Sequence, residues 1–449
     1  MKIIPVLAAT SFGFSLVQLD VTIVNIALPS ISATFGGGIS WLQWIVDAYA
    51  LTFAALLLTG GFLSDRFGAR TVYLVGIIVF ATASLACGVA SDVVTLIIAR
   101  TVQGIGAAAM LPSSLALLNA ATAHDKRLRA WAIGCWTAIS SISIASGPIL
   151  GAVIISIANW RYVFLINLPL CLLAVGLTLR LNVKTHKNSR RSFDLAGQLL
   201  AFIALLALVS AVIEARALGL MHPFVLTGMA IGPLAIICFI VVERRAKEPL
   251  IPMEIFHLSL FRISLFYGIV VNLTYYGVVF IISLYLQKTL GYTPMQAAYA
   301  YLPLTATFFV VNLVAGTLVG RYGARLPMIG GALVDALGFA LLAGLSSTSS
   351  FYALILPFML IPAGMGTGVP AMTTVVLENV PREFSGVAIA SINAARQAAG
   401  SVGVAIFGVL AGDSPDEVLR GLHSAAMIAI VLLILASAAS MLLPRRSAM

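Results

Sequence analysis

Apolar runs of roughly 20 residues follow one another along almost the whole chain, each closed by a charged cluster or by a glycine or proline break. A run of that length, coiled as an α-helix rising about 1.5 Å per residue, spans the hydrocarbon layer of a bilayer. Hydrophobic residues make up 61% of the chain and charged residues only 9%, too little polar surface for a water-soluble fold. The expectation is an all-α polytopic membrane protein, because only helices satisfy every backbone polar group within such a run.

The runs predict helices over 5–29, 40–62, 71–90, 93–118, 130–156, 161–181, 194–215, 222–242, 260–286, 294–319, 327–345, 350–378, 387–411 and 421–443, about fourteen spans in all. Met1-Lys2 ahead of an apolar run has the outline of a signal peptide. Asp20 and Asn25 interrupt that run, however, and no small-residue cleavage site follows, so the first helix is expected to be retained. With that many spans and a cytoplasmic start, about 20 of the 26 basic residues fall on the cytoplasmic side. They include Arg66, Arg70, Arg321, Arg325 and the clusters at 126–129, 180–191, 244–247 and 445–446. Both termini are then cytoplasmic, and the net charge of +10 reads as a topology signal, not as a nucleic-acid footprint.

The four cysteines, Cys87, Cys135, Cys171 and Cys238, lie inside apolar runs without metal-like or redox spacing, so no metal site is expected. No phosphate-binding GxxxxGK[ST] loop is present and no cofactor is expected. An intramembrane enzyme would need a nucleophile, paired acids or a histidine cluster, and the five scattered histidines supply none. The protein is therefore not expected to be an enzyme, and its function must lie among the helices.

An internal repeat divides the chain. Gly61-Phe-Leu-Ser-Asp65-Arg66-Phe-Gly68-Ala-Arg70 after the second helix and Gly316-Thr-Leu-Val-Gly320-Arg321-Tyr-Gly323-Ala-Arg325 after the tenth match at both glycines and both arginines, 255 residues apart. An offset of eight helices fits two parallel six-helix bundles with an inserted helical pair. The domains follow as 1–185 for the N-terminal bundle, 186–250 for the inserted hairpin and 251–449 for the C-terminal bundle. In these loops the glycines permit a tight turn, and the Asp and Arg side chains can pair with each other or with helix ends of the opposite bundle; the arginines can also be topology charges alone.

Ionisable residues inside spans are candidates for function by default. Asp20 and Arg100 should lie at similar depth, since one sits nine residues before Pro29 on an outward helix and the other about seven residues into an inward one. A carboxylate paired with a guanidinium is stable when dry, and losing the partner drives it to take up a proton. Asp20 is thus a candidate proton or cation site modulated by Arg100, against a static ion pair. Asp47, Glu214, Asp335 and Arg396 are further embedded charges, with Asp47, Asp335 and Arg396 assigned to a substrate cavity or to structural pairing. Asn25 and Gln103, like Asn272, Asn312 and Asn393, could contact a solute or bridge helices. Trp41, Trp44, Trp160, Tyr275 and Tyr276 divide between the interfacial belt and a cavity wall, the tryptophans favouring the belt.

Several stretches together resemble the major facilitator superfamily, specifically its fourteen-span drug:proton antiporter branch. They are Leu19-Asp20-Val-Thr22-Ile-Val-Asn25-Ile-Ala-Leu-Pro29, the loop from Gly61 to Arg70, Arg100-Thr-Val-Gln103-Gly104-Ile-Gly106-Ala-Ala108, and Gly147-Pro148-Ile-Leu-Gly151. Trp160-Arg161-Tyr-Val-Phe164-Leu-Ile-Asn167-Leu-Pro169 and Tyr285-Leu-Gln287 with Gly291-Tyr and Leu302-Pro303 add to the likeness. In the antiporter motif Ser143 and Ala152 replace glycines, which weakens the flexibility attributed to that helix.

The resemblance implies a proton-coupled exporter of hydrophobic, cationic or amphipathic small molecules, working by alternating access of the two bundles. A proton-coupled importer of the same fold is the alternative. The expected partners are a small-molecule substrate, protons and the lipid bilayer, with no nucleic acid; the protein is expected to act as a monomer in the cytoplasmic membrane. Asp20 and Arg100 are assigned to proton coupling, and Gly61, Asp65, Arg66, Gly68, Arg70, Gly147, Pro148 and Gly151 to the conformational motifs.

Overall fold

The computed structural model describes residues 3–123, 125–181, 194–246, 253–381 and 384–444. Its helices are α1 (Ile3–Phe35), α2 (Ile39–Phe67), α3 (Ala69–Gly88), α4 (Val93–Ala121), α5 (Lys126–Ile157), α6 (Tyr162–Leu165), α7 (Asn167–Leu179), α8 (Leu195–Leu218), α9 (Pro223–Arg245), α10 (Ser259–Leu284), α11 (Pro294–Tyr322), α12 (Arg325–Leu342), α13 (Phe351–Asn379), α14 (Ser385–Ala411) and α15 (Pro415–Ser440). No strand occurs among the described residues. Among the described residues thirteen segments are long and apolar enough to cross a bilayer, α6 and α7 counting together. The remaining expected span is α5, whose apolar part is Ile142–Ile157.

Three boundaries differ from the sequence reading. The first helix runs past Pro29 to Phe35, since a proline inside a membrane helix costs less where neighbouring groups re-satisfy the freed carbonyl. The span expected over 161–181 is broken between α6 and α7, where Pro169 has no N–H for the Leu165 carbonyl. The ninth span, α10, ends in a π-helical turn, Tyr285–Thr289. The proposed domain boundaries near 185 and 250 fall outside the described residues, as do Lys2, Lys184, Lys187, Arg190, Arg191, Lys247, Arg382, Arg445 and Arg446 of the orientation argument.

The chain resolves into two compact units, residues 1–36 with 44–202, and residues 37–43 with 203–449. Within the first, α1 packs on α5, α4 and α7, and α3 packs on α4 and α7. Within the second, α10 packs on α14, α13 and α15, and α12 packs on α13 and α15. Counting α6 and α7 as one span, these are the same pairings shifted by eight spans. The repeat seen in two ten-residue loops is therefore a repeat of whole helix bundles.

Candidate functional site

Asp20 on α1 is fully buried, and side chains from α4 and α7 converge on it. Arg100 Nη1 on α4 donates to Asp20 Oδ2, forming a buried ion pair. Gln103, one turn further along α4, donates from Nε2 to Asp20 Oδ1 at 2.9 Å and to Ser84 Oγ at 2.8 Å, while its Oε1 accepts from Arg100 Nη1 at 2.7 Å. Asn167, the first residue of α7, donates to Asp20 Oδ1 at 3.1 Å and to Ser84 Oγ at 3.3 Å. The i, i+3 spacing of Arg100 and Gln103 puts both on the α4 face turned to α1 and α3.

Arg100 is held on its other side as well. Its Nε donates to the Ile45 carbonyl on α2 at 3.0 Å, and its guanidinium lies 4.4 Å from the Tyr49 ring centre and 5.8 Å from that of Phe164. Rings over a desolvated guanidinium contribute attraction that offsets part of its burial. The group is a buried acid–base pair whose members are hydrogen-bonded on several sides.

The structure brings together Asp20, Arg100 and Gln103. Asn167 and Ser84 complete the cluster and were not picked as site residues from sequence; Asn167 could have been found as an amide embedded in the apolar run Val163–Leu172. Asn25 is buried on α1 and its Nδ2 donates to the Val21 carbonyl of its own helix at 2.9 Å. Asp47 is fully buried on α2. In the second unit, Asp335 is buried on α12, and Arg396 on α14 donates from Nη1 to Asn393 Oδ1 at 3.2 Å. Neither Asp335 nor Arg396 forms an ion pair among the described residues.

The antiporter motif in α5 lies directly on the helix that carries Asp20. A Cβ built at Gly147 would stand 2.9 Å from Thr22 Cβ and 3.1 Å from the Ile23 nitrogen, and one at Gly151 would stand 3.0 Å from Ile23 Cγ1. Pro148 lies inside α5 between these contacts. The two glycines therefore serve close approach of α5 to α1.

In the loop motif, Gly68 has φ 95° and its counterpart Gly323 has φ 73°, conformations that a side chain disfavours. Gly61 is different, with nothing closer than 3.8 Å to a built Cβ. Arg70 donates to the carbonyls of Thr178 at 3.3 Å and Leu179 at 2.6 Å, capping the end of α7 in its own unit. Asp65 and Arg66 are exposed at the end of α2, with Arg66 5.6 Å from the Phe67 ring centre. Trp160, in the turn between α5 and α6, is buried: its Nε1 donates to Thr34 Oγ1 at 3.0 Å, and its ring packs edge-on to Phe35 and Phe164.

Comparison with known proteins agrees with this architecture. The model of the Major Facilitator Superfamily matches residues 10–404. The chain is 36% identical to the methylenomycin A resistance protein of Bacillus subtilis over 91% of this chain and 87% of that one. It is 36% identical to the multidrug resistance protein Stp of Mycobacterium tuberculosis over 90% and 74% of the two chains. It is also 33% identical to the tetracenomycin C resistance and export protein of Streptomyces glaucescens over 92% and 77%. Among solved structures, the D-xylose-proton symporter superposes with a TM-score of 0.72 at 15% identity, covering 100% of this chain and 99% of that one, a likeness of fold. The chain belongs to the Major Facilitator Superfamily and is a multi-pass membrane transport protein for small molecules, not an enzyme.

Proposed function

We propose that this transporter is a proton-coupled exporter of hydrophobic, cationic or amphipathic small molecules, antibiotics among them. The observation that carries the reading is the buried Asp20–Arg100 pair, tied by Gln103 and Asn167 between α1, α4 and α7. Withdrawal of the guanidinium leaves a carboxylate without a counter-charge in an apolar interior, where it takes up a proton; return of Arg100 expels that proton. Alternating between these states couples proton passage to the conformational cycle. Export as the direction draws support from the relatives, which are resistance proteins for methylenomycin A, tetracenomycin C and puromycin.

In this reading the chain is organised as six, two and six spans, works as a monomer in the cytoplasmic membrane and keeps both termini in the cytoplasm. Asn25, Asp47 and Arg396 contribute to substrate contacts, while the loop motifs and the α5 glycines carry the conformational change.

Inside-out membrane vesicles test it directly. With a pH gradient established, methylenomycin A, puromycin or a lipophilic cation should release protons from vesicles holding the wild-type chain and not from those holding Asp20→Asn. Unimpaired proton release by Asp20→Asn would refute the coupling role. Substrate accumulation by right-side-out vesicles would instead make the chain an importer.

A further inference from the structure

Asp335 is a carboxylate at a place where the fold itself does not need one. In the first unit, α3 crosses α4 at Gly76 and Gly106: a Cβ built at Gly106 would lie 2.9 Å from the Gly76 carbonyl oxygen and 2.7 Å from the Phe80 nitrogen. In the second unit, α12 crosses α13 at Gly331 and Gly364 in the same way, a Cβ at Gly364 lying 2.7 Å from the Asp335 nitrogen and 2.6 Å from its Cβ. Gly76 and Gly331, like Phe80 and Asp335, are 255 residues apart, the same offset as the repeated loops. One bundle thus fills this position with a fully buried phenylalanine and the other with a buried acid.

Both carboxyl oxygens of Asp335 lack a hydrogen-bond partner among the described residues. The same is true of the Tyr267 hydroxyl on α10. Tyr267 closes on Gly368, the next turn of α13 after Gly364: a Cβ built there would lie 2.6 Å from Tyr267 Cζ. Tyr267 and Tyr275, both buried on α10, are titratable groups near Asp335. The charged residues of the helices packed around α12 lie near helix ends: Glu378 on α13, Arg321 on α11, and Asp416, Glu417, Arg420 and His423 on α15.

An ionised carboxylate with neither counter-ion nor donor is very costly in such an interior, so the acid is neutral here. Among the described residues no group of three or more metal-ligating side chains surrounds it. We propose that Asp335 is a second proton-binding site, internal to the C-terminal bundle, that is loaded in the conformation described and unloads when α12 and α13 separate. On unloading, the carboxyl O–H bond breaks, the electron pair stays on the carboxylate and the proton passes to water. The coupling half of this proposal rests on the proton-driven reading above; the protonation half stands without it.

Infrared spectra of the full chain in lipid nanodiscs test the protonation half. At neutral pH the wild type should show a protonated-carboxyl C=O band that is missing from Asp335→Asn and retained in Asp20→Asn. Identical wild-type and Asp335→Asn spectra would overturn the proposal. Asp335→Leu, which places an apolar side chain where the first bundle has Phe80, should melt no lower than wild type; a marked loss of stability would make Asp335 a structural residue. In proteoliposomes, Asp335→Asn should still export substrate but with a lower proton-to-substrate ratio, and an unchanged ratio would reduce Asp335 to a static acid. If Asp20→Asn keeps full coupling, the Asp20 assignment fails while the infrared result on Asp335 stands or falls separately.

Discussion

Gln103 joins both members of the ion pair at once: its Nε2 donates to Asp20 Oδ1 at 2.9 Å and its Oε1 accepts from Arg100 Nη1 at 2.7 Å. An amide is the side chain suited to this position, because it offers a donor to the acid and an acceptor to the base from one planar group. Replacing Gln103 by Leu removes one hydrogen bond from each residue, leaving Asp20 Oδ1 with Asn167 alone and Arg100 Nη1 with Asp20 alone. Thermal unfolding in detergent should show a loss of about 1–3 kcal/mol. Equal stability of Gln103→Leu and wild type would mean that the two hydrogen bonds contribute nothing net.

Arg100→Lys keeps the charge but not the fork. The guanidinium reaches Asp20 through Nη1 and the Ile45 carbonyl through Nε, and an ammonium cannot meet both. Arg100→Ala goes further and strands a buried acid, a change that costs about 3–5 kcal/mol when the acid stays ionised. Vesicle assays should therefore rank transport as wild type, then Arg100→Lys, then Arg100→Ala. Parity between Lys and Ala would indicate that charge at this position is irrelevant.

Gly147→Ala should impair both stability and transport, since the added methyl meets Thr22 and the Ile23 backbone. Overpacking of this kind costs about 1–3 kcal/mol. Gly134→Ala on the same helix is the control, with nothing within 4 Å of the added Cβ. Export and melting temperature measured on the pair separate close approach from helix flexibility: loss in both variants would favour flexibility.

The two glycines of the first loop motif should respond differently to alanine. Gly68 at φ 95° forces a strained backbone on any side chain, a penalty of roughly 1–3 kcal/mol. Gly61→Ala meets only Pro112 Cβ at 3.8 Å, an ordinary contact, and should leave melting and transport near wild type. A matching pair of losses would show that the frame is needed for something other than backbone shape.

Asp92 provides a pH-dependent cap at the start of α4. Its Oδ1 accepts from the Thr95 N–H at 2.8 Å and its Oδ2 from the Thr95 hydroxyl at 2.7 Å, and these bonds hold its carboxyl below the usual range. Because the folded form has the lower value, the cap is fully present above the unfolded-state pKa and is lost as pH falls through the folded one. The melting temperature of Asp92→Asn should consequently fall less steeply with acid than that of wild type below about pH 4.

The sequence by itself determined the order of the spans, the eight-helix repeat, and the meeting of Asp20 with Arg100. Each follows from something local: run length against bilayer thickness, a duplicated loop, and depth counted along two helices. Tertiary structure alone decided which other polar groups join that pair. Asn167 and Ser84 are 147 and 64 residues from Asp20 along the chain, and no periodic signal marks the faces that bring them together. In a soluble helix the polar face announces the outside, but lipid is as apolar as a protein core, so a membrane helix carries little of that signal. The same ambiguity hid the burial of Trp160, whose ring is as suited to lipid as to its contacts with Phe35 and Phe164. It also hid the contrast between Phe80 and Asp335, which becomes visible only when the two glycine crossings are seen to be the same piece of structure.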